Sequence, residues 1–154
     1  MTPVVKNAWP RASLVTCVIV SLVAIGAVSA ASLAAQDPIR STNEGVYTSR
    51  QASRGARVFE DNCTACHDTA RFRGSIFLEN WTGQPLFNIF DLMRYTMPED
   101  NPGSLKPQDY ADVLSFFLSL NGFPDGETQL EGTEAAMQAV QIQPPPSTAP
   151  DSGY

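Results

Sequence analysis

The chain has 154 residues, 43% of them hydrophobic and 17% charged, with a formal net charge of −6. That is the size of one ordinary domain with a real core. The acidic balance and the lack of a basic patch argue against nucleic-acid binding.

Taken in chain order, residues 1–35 read as a leader. Lys6 and Arg11 supply a positive start, an apolar run extends from Ala12 to Val28, and the small residues of "SAASLAAQD" follow. This is the layout of a secretory signal peptide, with Ala30, Ala31, Ala34 and Ala35 as cleavage positions. The alternative is an uncleaved membrane anchor, because the run approaches the roughly 20 residues that span a bilayer. Cys17 lies inside this run after Thr16, so it belongs to the leader rather than to a lipoprotein site. The protein is thus expected to be exported, to a periplasm in a bacterial cell, and held at a membrane only if the leader stays.

From Gln36 onward, eight Lys and Arg face sixteen Asp and Glu. Arg50, Arg54, Arg57, Arg71 and Arg73 flank the remaining cysteine pair, whereas the acids crowd toward the C-terminal half. Such charges make solvated helix faces. They also make an asymmetric surface able to orient an encounter with a partner.

Residues 36–47 read as an extended lead-in, and residues 48–130 as the compact domain. A first helix starts at the capping-box spacing of Thr48 and Gln51 and delivers the chain to Cys63. Its small and apolar face is Ala52, Gly55, Ala56 and Phe59. Gly55 is expensive in mid-helix, by about 1 kcal/mol against Ala, which a close helix crossing would offset. A second helix spans Pro85 to Tyr95, with Leu86, Ile89, Phe90 and Met93 on one face. It stops before Met97-Pro98. A third begins at Pro107, carries Asp109 in its first turn, and presents Tyr110, Val113, Leu114, Phe117 and Leu118 as its apolar stripe. Asn121-Gly122 and Pro124 end it. No segment alternates with period two, so the fold class is all-α. The connections 68–82 and 98–106 are expected to be irregular. Residues 131–154, with one short Ala-rich piece and then Pro-rich sequence, read as a largely disordered tail.

The chemistry concentrates in "EDNCTACHDT", where the only histidine, His67, directly follows Cys63-x-x-Cys66. A redox dithiol would want a βαβ setting, and here a helix precedes the pair with no strand nearby. Zinc wants four ligands, and no further Cys or His follows His67. Haem attachment needs only what is present. Two thiols separated by two residues become thioethers to the haem vinyl groups, and the next imidazole becomes the iron's proximal ligand. A domain this small also lacks core, which a large apolar cofactor would supply, so a cavity beside His67 is expected. For the sixth ligand, Met137 lies beyond the expected domain and Met93 suits helix packing. Met97, in "YTMPEDNPG" and held by Pro98, suits ligation.

On "CTACH" (63–67), "TMP" (96–98) and the ordered helices, the segment 48–130 resembles the class I cytochromes c. More narrowly, "MPEDNPGSL" and "YADVLSFFLSLNGFPDGETQL" are similar to small cytochrome domains that accompany bacterial quinoprotein dehydrogenases. The resemblance implies a small fold of three or more helices around one covalent haem c, with Cys63 and Cys66 as thioethers and His67 and Met97 as axial ligands. It implies that Gly55 and Phe59 cross the last helix near Val113 and Phe116. It implies one-electron transfer rather than catalysis, between redox partners such as a dehydrogenase donor and an oxidase or cytochrome acceptor docking at the exposed haem edge. Trp81, Arg71 and Arg73 are candidate propionate contacts. The short stretch from His67 to Met97 departs from the larger family members and should leave more of the propionate edge open. Two other readings stand beside the carrier: a haem subunit of a periplasmic dehydrogenase complex, and a haem enzyme or ligand sensor with an open iron site.

Overall fold

Three helices carry the architecture, and their contact surfaces follow from where the sequence puts its small and apolar residues. The structure, a computed structural model, describes residues 38–146. The expected leader, with Cys17, and the last eight positions of the tail lie outside the described residues. The elements run β1 (Arg40–Ser41), a 3-10 turn (Thr42–Glu44), α1 (Ser49–Asn62), a 3-10 turn (Thr69–Phe72), α2 (Ser75–Trp81), α3 (Leu86–Thr96), α4 (Pro107–Leu120), α5 (Glu134–Gln138) and β2 (Val140–Gln141). The all-α expectation holds apart from the two-residue strands. Among the described residues, no helix is long and apolar enough to cross a membrane.

Helix α1 starts where the capping signal lies: the Thr48 hydroxyl accepts from the Gln51 amide at 3.2 Å. It buries Ala52, Gly55 and Phe59 against α4. A Cβ on Gly55 would stand 1.8 Å from the Asp112 carbonyl oxygen and 2.9 Å from the Val113 nitrogen. Only glycine permits so close a backbone approach. Beside the crossing, Phe59 meets the rings of Phe116 at 5.8 Å and Phe117 at 5.7 Å. Helix α4 begins with Pro107 in its first turn and ends at Asn121, as its sequence signals require. Its burial extends beyond the expected stripe to Ala111, Asp112 and Ser115, because the returning chain covers a second side. Helix α3 places Leu86, Ile89 and Phe90 in the core and packs against α4, α5 and β2.

Two buried polar groups at the crossing satisfy one another. Gln51 donates from Nε2 to the Asp112 carboxylate (2.9 Å) and to the Leu130 carbonyl (2.7 Å), while its Oε1 accepts from the Leu130 amide (2.8 Å). Arg54 adds a bond from Nε to the same carboxylate at 2.8 Å. Burial without these partners would cost on the order of 1–3 kcal/mol per group.

Three expectations need correction. The segment 68–82 is not irregular throughout: it holds a 3-10 turn and α2, which buries Phe77. Seven residues opened by Gly74 without a side-chain cap give too short a pattern to read. Residues 38–47, expected as an extended lead-in, belong to the packed unit, since Thr42, Val46 and Tyr47 are buried. The Tyr47 hydroxyl donates to the Phe123 carbonyl at 2.7 Å, and Gly45 and Gly126 meet backbone to backbone. The packed unit also continues past Leu130. Met137, Val140 and Ile142 are fully or almost fully buried. Strand β2 runs parallel to β1, with Arg40 opposite Val140, and Ile142 exchanges backbone bonds with Gly83 (2.7 Å) and Gln84 (2.9 Å). Three apolar side chains in an otherwise polar stretch suffice because the α3 face offers a surface to receive them.

Candidate haem site

The last turn of α1 runs directly into the cysteine motif. The Cys63 amide donates to the Phe59 carbonyl at 2.8 Å, and the Cys63 carbonyl accepts from the amides of Cys66 (3.1 Å) and His67 (2.9 Å). This tight turn holds three side chains in one short arc. Cys63 is half-buried, Cys66 exposed and His67 half-buried. Burial pushes the Cys63 thiol above its ordinary pKa.

All three line one cavity of about 790 Å³, open to solvent on one side. Its apolar wall comes from every helix around it: Phe59 from α1, Trp81 from α2, Ile89 from α3, and Val113 and Phe117 from α4. Met93 and Met97 both line it, from the last turn of α3 and its C-terminal cap. Arg71 reaches the lining, with Asp61, Glu99 and Asp100 as the acidic members. Arg73, a candidate propionate contact, and Met137, the methionine set aside as a ligand, are not brought there. Arg73 is exposed and outside the lining, and Met137 is buried within the core on another side.

Phe72 is a residue that sequence reasoning missed. It stacks on Phe117 at 4.3 Å with nearly parallel rings and turns its ring almost perpendicular to that of His67, centroids 5.5 Å apart. Asn121, at the end of α4, clamps this loop. Its Nδ2 donates to the Phe72 carbonyl (2.9 Å) and its Oδ1 accepts from the Gly74 amide (2.8 Å). The signal available was a lone aromatic in the polar run "DTARFRG". In the sequence Tyr110 belongs only to the packing stripe of α4, yet its hydroxyl donates to the Met97 carbonyl at 2.7 Å.

The residues present fit a haem. The volume falls within the roughly 300–1,000 Å³ of cofactor pockets, and the wall is aromatic and aliphatic. Two thiols sit at its border, and His67 has a buried ring nitrogen, Nδ1, with no protein partner. The fold and site together define a small class I-type cytochrome c domain.

Comparison with known families agrees: residues 50–117 match the family described as cytochrome c oxidase, cbb3-type, subunit III, whose signature is a cytochrome c domain. The matched segment runs from α1 to near the end of α4. No curated protein and no solved structure matches the chain. The domain therefore binds haem c covalently and belongs to haem-based electron transfer.

Proposed function

We propose that the protein is an exported single-electron carrier in which Cys63 and Cys66 hold the haem thioethers and His67 and Met97 are the axial ligands. The observation that supports this most directly is the single cavity lined by Cys63, Cys66, His67 and Met97. The haem supplies reversible one-electron chemistry at its iron, and a methionine ligand together with burial favours the ferrous form. The chain's own residues do the rest. The apolar wall excludes water and fixes the cofactor, and the aromatic stack of Phe72 on Phe117 orients the His67 ring. Trp81 and Arg71, both in the cavity lining, would serve as propionate contacts through an indole N–H and a guanidinium. The exposed position of Cys66 makes the attachment edge the route for electrons between donor and acceptor proteins. A periplasmic location follows from the leader-like N-terminus.

A second reading is favoured by the outer face of α3. Leu92 is half-exposed at the cavity border, and Tyr95 is 73% exposed. Apolar groups of this size beside a redox centre suit a lasting contact within an oxidoreductase complex. The matched family's description names an oxidase subunit, and the similarity to quinoprotein-associated domains points to a dehydrogenase instead. Co-purification of a large partner from the native host would favour the subunit.

The test of ligation compares Met97→Ala and Met93→Leu in holoprotein made where haem attachment occurs. Met97→Ala should lose the long-wavelength iron–sulfur charge-transfer band of the ferric form and bind carbon monoxide rapidly when ferrous. Met93→Leu should keep the band and stay closed. The reverse pattern sinks the assignment, and rapid carbon monoxide binding by the unmodified protein would make it a ligand-binding haem protein instead. Release of the pigment into acid acetone would exclude the covalent link.

A further inference from the structure

We propose that Tyr110 is a positioning residue for Met97: its hydroxyl holds the Met97 backbone so that the sulfur stays directed at the iron. This rests on Met97 as the axial ligand.

Tyr110 sits in the first turns of α4, 3% exposed, on the stripe that packs the core. Packing alone would accept Phe or Leu there. The hydroxyl is surplus to that role and, once buried, needs a partner. Its partner is the Met97 carbonyl, 2.7 Å away. The same carbonyl accepts from the Gly103 amide at 3.2 Å, and the Met97 amide donates to the Met93 carbonyl at 2.9 Å. Both backbone groups of Met97 are thus engaged, from three directions. The amide belongs to α3, while the carbonyl is tied to the 98–103 loop and to α4. Met97 itself is extended (φ −127°, ψ 151°), so helix geometry no longer fixes its direction. Helix α4 is in turn locked at Gly55 to α1, the helix that leads two turns further on into the attachment motif. The phenol therefore ties the chain bearing the sulfur to the same framework that bears His67. Tyr110 and Met97 line the same cavity.

The structure contains its own control. Tyr47 makes a second buried phenol-to-carbonyl bond of the same 2.7 Å length, to Phe123, and lies outside the haem cavity lining. The experiment uses ferric holoprotein as wild type, Tyr110→Phe and Tyr47→Phe. Imidazole is the probe, because its entry waits for the methionine to leave, and urea unfolding followed by circular dichroism gives global stability. Phe keeps the ring and its packing in both variants. Losing one hydrogen bond of ordinary net strength should speed imidazole entry in Tyr110→Phe roughly five- to tenfold over wild type. Tyr47→Phe should lower the urea midpoint comparably and leave imidazole entry near the wild-type rate. Equal rates in Tyr110→Phe and wild type, or equal acceleration in both variants, would overturn the proposal. Absence of the iron–sulfur band in wild type, or its loss in Met93→Leu instead of Met97→Ala, would overturn the ligand assignment and this inference together. A retained band with an unaltered Tyr110→Phe rate overturns the inference alone.

Discussion

Gly55→Ala offers the clearest contest between two opposed effects. In an isolated helix the change should help, since alanine is better than glycine by about 1 kcal/mol. In this protein the added methyl would lie 1.8 Å from the Asp112 carbonyl oxygen, and contacts under 3.0 Å force a shift. The obstruction is backbone, so no rotamer relieves it, and α1 and α4 must separate by about 1.2 Å or slide. Either movement loosens the Phe59 contacts with Phe116 and Phe117 and the Gln51–Arg54–Asp112 bonds beside them. Overpacking of a close core costs about 1–3 kcal/mol, and a backbone clash belongs at the upper end. Subtracting the helical gain leaves a net loss of about 2 kcal/mol, a large share of a small domain's stability. Urea titration of the ferric holoprotein by far-ultraviolet circular dichroism measures it, with Arg57→Gly, at an exposed position of the same helix, as the control that loses mainly helix propensity. Gly55→Ala should unfold at lower urea than wild type. A midpoint equal to or above wild type would refute the close crossing.

Two further outcomes follow from the packed ends of the chain. Burial first, and the Asp125 charge second, push the Tyr47 phenol up to about 12. The neutral form is favoured in the fold, so its contribution is complete below the ordinary value near 10 and is lost as pH rises toward 12. Wild type should therefore lose stability over that window that Tyr47→Phe does not lose, and a stability difference constant from about pH 9 to about pH 12 would contradict it. Ending the chain after Gly132 removes the buried side chains of Met137, Val140 and Ile142. At about 1.5–3 kcal/mol each, as an upper bound, the loss should lower the melting temperature sharply. An unchanged melting temperature would mean that this segment does not pack.

The features that could be read along the chain are those whose physics is local. Cys63, Cys66 and His67 are neighbours in sequence, so the haem attachment proposed for them could be read without knowledge of the fold. The three main helices show in a 3.6-residue period, and Thr48, Pro107 and Asn121 mark ends through bonds or torsions within a turn. Gly55 announced a close approach because glycine in mid-helix is costly without one. The tertiary structure decided everything that depends on distant partners. Gln51 is buried because Leu130 and Asp112 meet it, which no local pattern reveals. The segment 131–143 is ordered because β1 and the turn at Gly83 offer backbone partners far away in sequence. Phe72 and Tyr110 gained their places at the haem cavity, and Asn121 its hold on the Phe72 loop, in the same way. A short apolar or polar side chain carries no mark of its partner, and burial is settled only when the whole chain has folded around the site.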